Sequence, residues 1–135
     1  MKWLTTQAVV AMHMELIAEH GGPPGIRDAG LLESALARPR HRASYAGRSV
    51  FERAAAYGWG ISRNHPFVNG NKRLALMACY VFLRLNGYRL TAPEPAAVGV
   101  VLDLAAGKIT ERELAAWFKV NCVRVGDRSR PRKKS

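Results

Sequence analysis

From Leu74 to Leu85 the chain is apolar at every position but Arg84, and glycines stand on either side of this run at 70 and 87. A helix without a polar face cannot lie on a surface; it needs neighbours all round and belongs at the centre of a bundle. Gly87, in LNGY, is placed to end that helix with a left-handed cap. The uninterrupted part, Leu74 to Leu83, is well short of the roughly 20 residues that a membrane span requires. With 135 residues in all, there is room for one core and not for two. The expected organisation is one domain, residues 1–125, around a central buried helix at about residues 71–86, with a solvated, mobile basic tail at 126–135.

The remaining segments also read as helices. An amphipathic stretch follows Thr5 or Thr6, with Val9, Val10, Met14, Ile17 and Ala18 near helical spacing, and HGGPPG from His20 to Gly25 stops it. Asp28 is placed to cap a second helix through LLESALARP, which Pro39 closes. SVFE, Ser49 to Glu52, is a capping box for a third helix running to about Asn64, just before Pro66. TAPE at Thr91–Glu94 and TERE at Thr110–Glu113 repeat that signal for later helices. No sustained alternation marks a strand, and alanine and leucine outnumber β-branched residues, so the fold class is all-α.

An apolar content of 48% favours a globular chain over a disordered one. Cys79 and Cys122 each sit in an apolar helical pattern, which suits reduced, buried thiols better than a disulfide framework or a zinc site. Lys2 precedes apolar residues, but His13 and Glu15 interrupt them and no small-residue cleavage site follows. Cytoplasmic residence is therefore the expectation. The net charge is +11, of which residues 127–135, DRSRPRKKS, carry +4 and the body +7. A basic body favours an acidic partner, a nucleotide or a nucleic acid.

The central helix buries its sides but leaves its N-terminus at the surface, where free amides and the positive end of the dipole form an anion site. The segment leading into it is NHPFVNGNKR, residues 64–73. Gly70 permits close backbone approach, and Asn71 is a good N-cap. Lys72 and Arg73 then add cations in a first turn where the dipole prefers acids. That arrangement makes sense if a polyphosphate occupies the site, with Arg73 offering a bidentate fork and Lys72 a point charge. His65 stands at the opposite lip, held by Pro66, with Phe67 turned inward. A histidine there is suited to accept a hydroxyl proton, an effect worth roughly 10² to 10⁴ in rate. His13, His20 and His41 have no partner at a ligand spacing and read as structural. RPRHR, Arg38 to Arg42, reads equally as a partner-docking patch or an exposed loop.

HPFVNGNKR resembles the motif of the Fic/Doc superfamily, HPFx(D/E)GN(G/K)R, and agrees with it at all but one position. The resemblance continues through HGGPPGIRDAGLLESALARPR, AAAYGWGISRNHPFVNGNKRLAL, FLRLNGYRL and AAGKITERELAAWF, roughly residues 10 to 120, which are marks of the Doc (death-on-curing) branch. It implies a Fic/Doc-like helical bundle and a toxin of a toxin-antitoxin pair that uses ATP to modify a protein hydroxyl. AMP-transferring members read GNGR with a second arginine three positions on. Here Lys72 replaces that glycine and Leu76 the arginine, which points to the Doc type and to transfer of the γ-phosphate. By the same resemblance His65 is the base for a Ser or Thr hydroxyl, and Lys72 and Arg73 cradle the phosphates. Asn71 and the amides after Gly70 complete the site, with a contribution from Arg63. The implied target is translation elongation factor Tu. Control implies a Phd-type antitoxin whose C-terminal segment folds into a groove, since no inhibitory (S/T)xxxE(G/N) segment occurs in the chain. Nucleic acid is reached through that antitoxin or weakly through the basic tail.

One position departs from the pattern. Asn69 stands where the family has the acid that holds Mg²⁺, and an amide oxygen is a neutral, weaker ligand for a hard cation. Reduced activity is the expectation. A naturally weakened copy, a toxicity-reducing substitution and a site that binds nucleotide without turnover all fit that residue. AMP transfer and a catalytically silent nucleotide- or antitoxin-binding module are the rival readings of function.

Overall fold

Caps set most of the helix starts. In the computed structural model, which describes residues 1–42 and 49–125, α1 (Thr6–His20) begins where Thr5 Oγ1 accepts from the Ala8 amide at 3.0 Å. Asp28 Oδ1 accepts from the Leu31 amide at 2.9 Å and starts α2 (Ala29–Arg42). Ser49 accepts from the amides of Phe51 and Glu52 and starts α3 (Val50–Asn64). The central helix α4 (Asn71–Leu85) is followed by β1 (Tyr88–Leu90), α5 (Glu94–Ala105), α6 (Glu111–Val120) and β2 (Cys122–Arg124). Thr110 and Glu113 form a complete capping box for α6. Each side-chain cap is worth about 0.5–2 kcal/mol.

Pro39 does not close α2. The helix continues to Arg42 because tertiary contacts offset the one amide bond that a proline removes. Arg38 lies 3.8 Å above the Trp59 ring of α3 and pairs at 2.7 Å with Glu111 of α6. Residues 38–42 are therefore the last turn of a helix and not an exposed loop. TAPE is not a cap either: α5 starts at Glu94 with Pro93 before it and no side-chain cap bond. The Thr91 hydroxyl donates instead to the Asn121 carbonyl at 2.9 Å, tying the end of β1 to the start of β2. The two strands pair antiparallel, with Tyr88 opposite Arg124 and Leu90 opposite Cys122. They make a small ribbon at the edge of an otherwise helical fold. The segment 126–135, expected as a tail, lies outside the described residues.

The core forms around α4, which buries Leu74, Ala75, Ala78, Cys79, Phe82 and Leu83 against α1, α3 and α5. Close approach of α3 depends on Gly58, where a Cβ would stand 2.8 Å from the Cys79 Sγ. Burial pushes the Cys79 thiol up to about 12 and Cys122 to about 11. Tyr57 of α3 is also buried, and its hydroxyl accepts from the Leu4 amide at 3.0 Å. Burial raises its pKa above the usual range. The helix ends as its sequence implies, at Leu85, with Gly87 in the left-handed region at φ 94°. One stripe of α4 escapes full cover: Leu76 and Met77 are half-buried and Tyr80 is exposed. Among the described residues no helix is long and apolar enough to cross a membrane.

Candidate active site

The loop between α3 and α4 is braced from three directions. Helix α3 stops at His65, which takes a left-handed conformation (φ 48°, ψ 57°) with its amide donating to the Ile61 carbonyl. It is the only residue other than glycine with positive φ among those described. The His65 side chain is exposed, whereas Pro66 and Phe67 behind it are buried. From α1, His13 stacks on Phe67 at 3.9 Å, and its Nε2 lies 2.7 Å from the Asn69 carbonyl. A carbonyl only accepts, so that nitrogen carries the proton. From the turn between α1 and α2, Gly25 O accepts from the Val68 amide at 3.0 Å, and the Arg27 and Asp28 amides donate to Pro66 O at 2.7 and 3.1 Å. The Arg27 guanidinium donates to the carbonyls of Asn64 and His65, both at 2.7 Å.

From α4 itself, Asn71 folds back on the loop. Its Oδ1 accepts from the Phe67 amide at 3.0 Å and its Nδ2 donates to the Phe67 carbonyl at 2.9 Å. The N-cap is therefore Gly70, in the left-handed region with no side-chain cap bond, and not Asn71. The physical reason is local: Phe67 is driven into the core, its backbone groups go with it, and the carboxamide satisfies both. The Asn71 side chain is consequently committed to the loop and does not face an anion. Its backbone amide lies at the first position of α4. The first bond of α4 runs from Leu74 N to Gly70 O at 2.9 Å, so the amides of Asn71, Lys72 and Arg73 have no acceptor within the helix.

Lys72 and Arg73 are exposed in that first turn, which holds no acidic residue, and neither forms an ion pair among the described residues. Arg63 lies in the last turn of α3, exposed, with its guanidinium 5.2 Å from the centre of the Trp59 ring. Asn69 is exposed and packs against the turn before α2: a Cβ on Gly22 would come 3.2 Å from its Cγ and Oδ1. Free amides and cations at a helix N-terminus fit a polyphosphate such as that of ATP. A dedicated Mg²⁺ site does not fit as well. Residues 64–73 contain no carboxylate, and no cluster of three or more His, Cys, Asp or Glu occurs among the described residues. Beside the loop, α1, α4 and α5 enclose a groove of about 770 Å³. Its polar lining is Lys72, Arg73, His20, Glu19 and Glu94, and Leu76, Met77, Tyr80 and Val98 are among its apolar lining.

Sequence reasoning set His13 aside and did not single out Arg27. A signal for the first existed, since Val9, His13 and Leu16 share the buried face of α1 at helical spacing. Nothing in the sequence marks Arg27, because its partners are carbonyls whose position depends on the fold.

A helical domain organised around one central helix, with a histidine-led loop at the surface-facing N-terminus of that helix, is a recognisable class. The family model described as Fic/DOC family matches residues 3–83. The chain is 31% identical over 116 residues to "Protein kinase doc" of Escherichia phage P1, covering 85% of this chain and 91% of that protein. It is 43% identical over 76 residues to "Toxin Doc" of Mycolicibacterium smegmatis (strain ATCC 700084 / mc(2)155), covering 53% of this chain and 57% of that one. The chain belongs to the Fic/Doc family, in its Doc branch.

Proposed function

We propose that this chain is a Doc-type toxin that transfers the γ-phosphate of ATP to a Ser or Thr hydroxyl of a target protein, with elongation factor Tu as the target. The observation that carries this reading is an exposed imidazole at His65, one short loop away from an uncapped, cationic helix start at Gly70–Arg73. In the proposed step His65 takes the hydroxyl proton as the oxygen attacks the γ-phosphorus. The bond from that phosphorus to the β–γ bridging oxygen breaks, and ADP leaves with the electron pair. Lys72, Arg73 and the free amides of the first turn neutralise the phosphate oxygens, which is most of what phosphoryl transfer asks of a protein. Asn69 offers Mg²⁺ only a neutral amide oxygen in a loop without a carboxylate, which attenuates the site. The name of the phage relative, a protein kinase, supports phosphate transfer over AMP transfer.

In the same reading the toxin is held in check by a Phd-type antitoxin whose C-terminal segment lies in the α1–α4–α5 groove. Its apolar wall suits an amphipathic helix, and Lys72 and Arg73, in a lining that also holds Glu19 and Glu94, offer partners to acidic side chains. Such a complex should weaken with salt. Incubation with purified elongation factor Tu and ATP labelled at either phosphate tests the chemistry. Label from γ-labelled but not α-labelled ATP, lost in His65→Ala, is the expected result. Label from the α position, or undiminished transfer by His65→Ala, would reject it.

A further inference from the structure

We propose that Arg27 is the positioning residue of His65, clamping the backbone that carries the imidazole without itself touching the nucleotide. This rests on the reading of His65 as the base. Arg27 donates to three successive carbonyls: its guanidinium to Asn64 through Nη2 and to His65 through Nε, each at 2.7 Å, and its amide to Pro66 at 2.7 Å. Among the described residues, no other side chain bonds the carbonyls of Asn64 and His65. The carbonyls at the end of α3 have no amide ahead of them and carry the negative end of the helix dipole, so a cation with a planar fork meets both needs. The left-handed conformation of His65 is unfavourable for a side chain with a Cβ and persists only where its surroundings impose it. Arg27 is the group that imposes it. Lysine retains the charge but offers a single nitrogen on a flexible stem in place of a rigid fork with donors on two nitrogens.

The two halves of the site are thus held by different devices. Arg27 fixes the lip with the imidazole, whereas His13 and Asn71 brace the segment that leads into the phosphate cradle. Loss of the clamp should disturb proton removal and leave nucleotide affinity alone. A misplacement of about 1 Å at a reacting group costs on the order of 100-fold. The test compares Arg27→Lys, Arg27→Ala and His65→Ala with the unaltered chain, reading kcat for transfer, KM for ATP, and the His65 Cα and Cβ shifts by NMR. Arg27→Lys is expected to lose roughly 10- to 100-fold in kcat, with KM for ATP within about twofold and His65 shifts moved away from left-handed values. Should Arg27→Ala fail to fold, the lysine variant still decides. Unchanged kcat and unchanged His65 shifts in Arg27→Lys would overturn the clamp, and so would a rise in KM with kcat preserved, which marks a phosphate ligand. Full transfer by His65→Ala would instead overturn the reading of the base, while the His65 shifts would still report on the clamp.

Discussion

Replacing Asn71 with leucine removes two hydrogen bonds at nearly the same shape. Asn71 is 7% exposed and Phe67 1%, so water cannot replace the lost carboxamide at the Phe67 amide and carbonyl. Each buried group left unpaired costs about 1–3 kcal/mol, and the pair therefore about 2–6 kcal/mol. That is a large fraction of a total stability of about 5–15 kcal/mol. For a chain of 135 residues it corresponds to a fall in Tm of about 7 to 20 °C. Urea unfolding followed by circular dichroism measures the loss, with Lys72→Ala as the control. Lys72 is exposed with no ion-pair partner among the described residues, so its removal should stay within about 0.5 kcal/mol. A leucine variant within about 0.5 kcal/mol of the unaltered chain would refute the reasoning, because Phe67 could not then depend on the carboxamide. Unchanged stability with weakened ATP binding would return Asn71 to the anion site that its sequence position suggested.

Three further outcomes follow from the same structure. Asn69→Asp places a carboxylate in a loop that has none and should raise both phosphate transfer and growth inhibition; equal ATP turnover and equal growth of the two forms would reject the attenuated reading. Gly58→Ala puts a Cβ 2.8 Å from the Cys79 Sγ and should cost about 1–3 kcal/mol by overpacking, measured by urea unfolding. Burial raises Cys79 to about 12 and lifts Tyr57 in the same direction, so the folded state keeps protons that the unfolded chain releases. Stability should therefore be level below about pH 9 and fall as pH rises towards 12, by up to about 1.4 kcal/mol per unit for each fully shifted group. Cys79→Ser should flatten that decline, and a native profile flat to pH 11 would contradict it.

Local chemistry made much of this fold legible. Thr5, Asp28, Ser49 and Thr110 announce helix starts because a short oxygen-bearing side chain before an apolar periodic run has few other uses. The central helix was readable because the run from Leu74 admits no polar face. The misreadings share a cause. Pro39 stays inside a helix because Trp59 and Glu111 hold the turn around it, and Thr91 gives its hydroxyl to Asn121 from the far end of α6. Asn71 turns inward because Phe67 does. In each case the deciding partner is distant in sequence or is a backbone group, and neither leaves a mark in the pattern. The strands escaped notice because three residues each are too few to show alternation.

The turn from His20 to Arg27 is exposed throughout and held open by positive φ at Gly21, Gly22 and Gly25, yet it supplies the contacts to Val68, Pro66 and His65. Fidelity at the imidazole is thus on loan from a strap that contributes nothing to the core. On the proposed reading of His65, one proteolytic nick between Gly21 and Gly25 is expected to lower phosphate transfer while the helical circular dichroism signal persists.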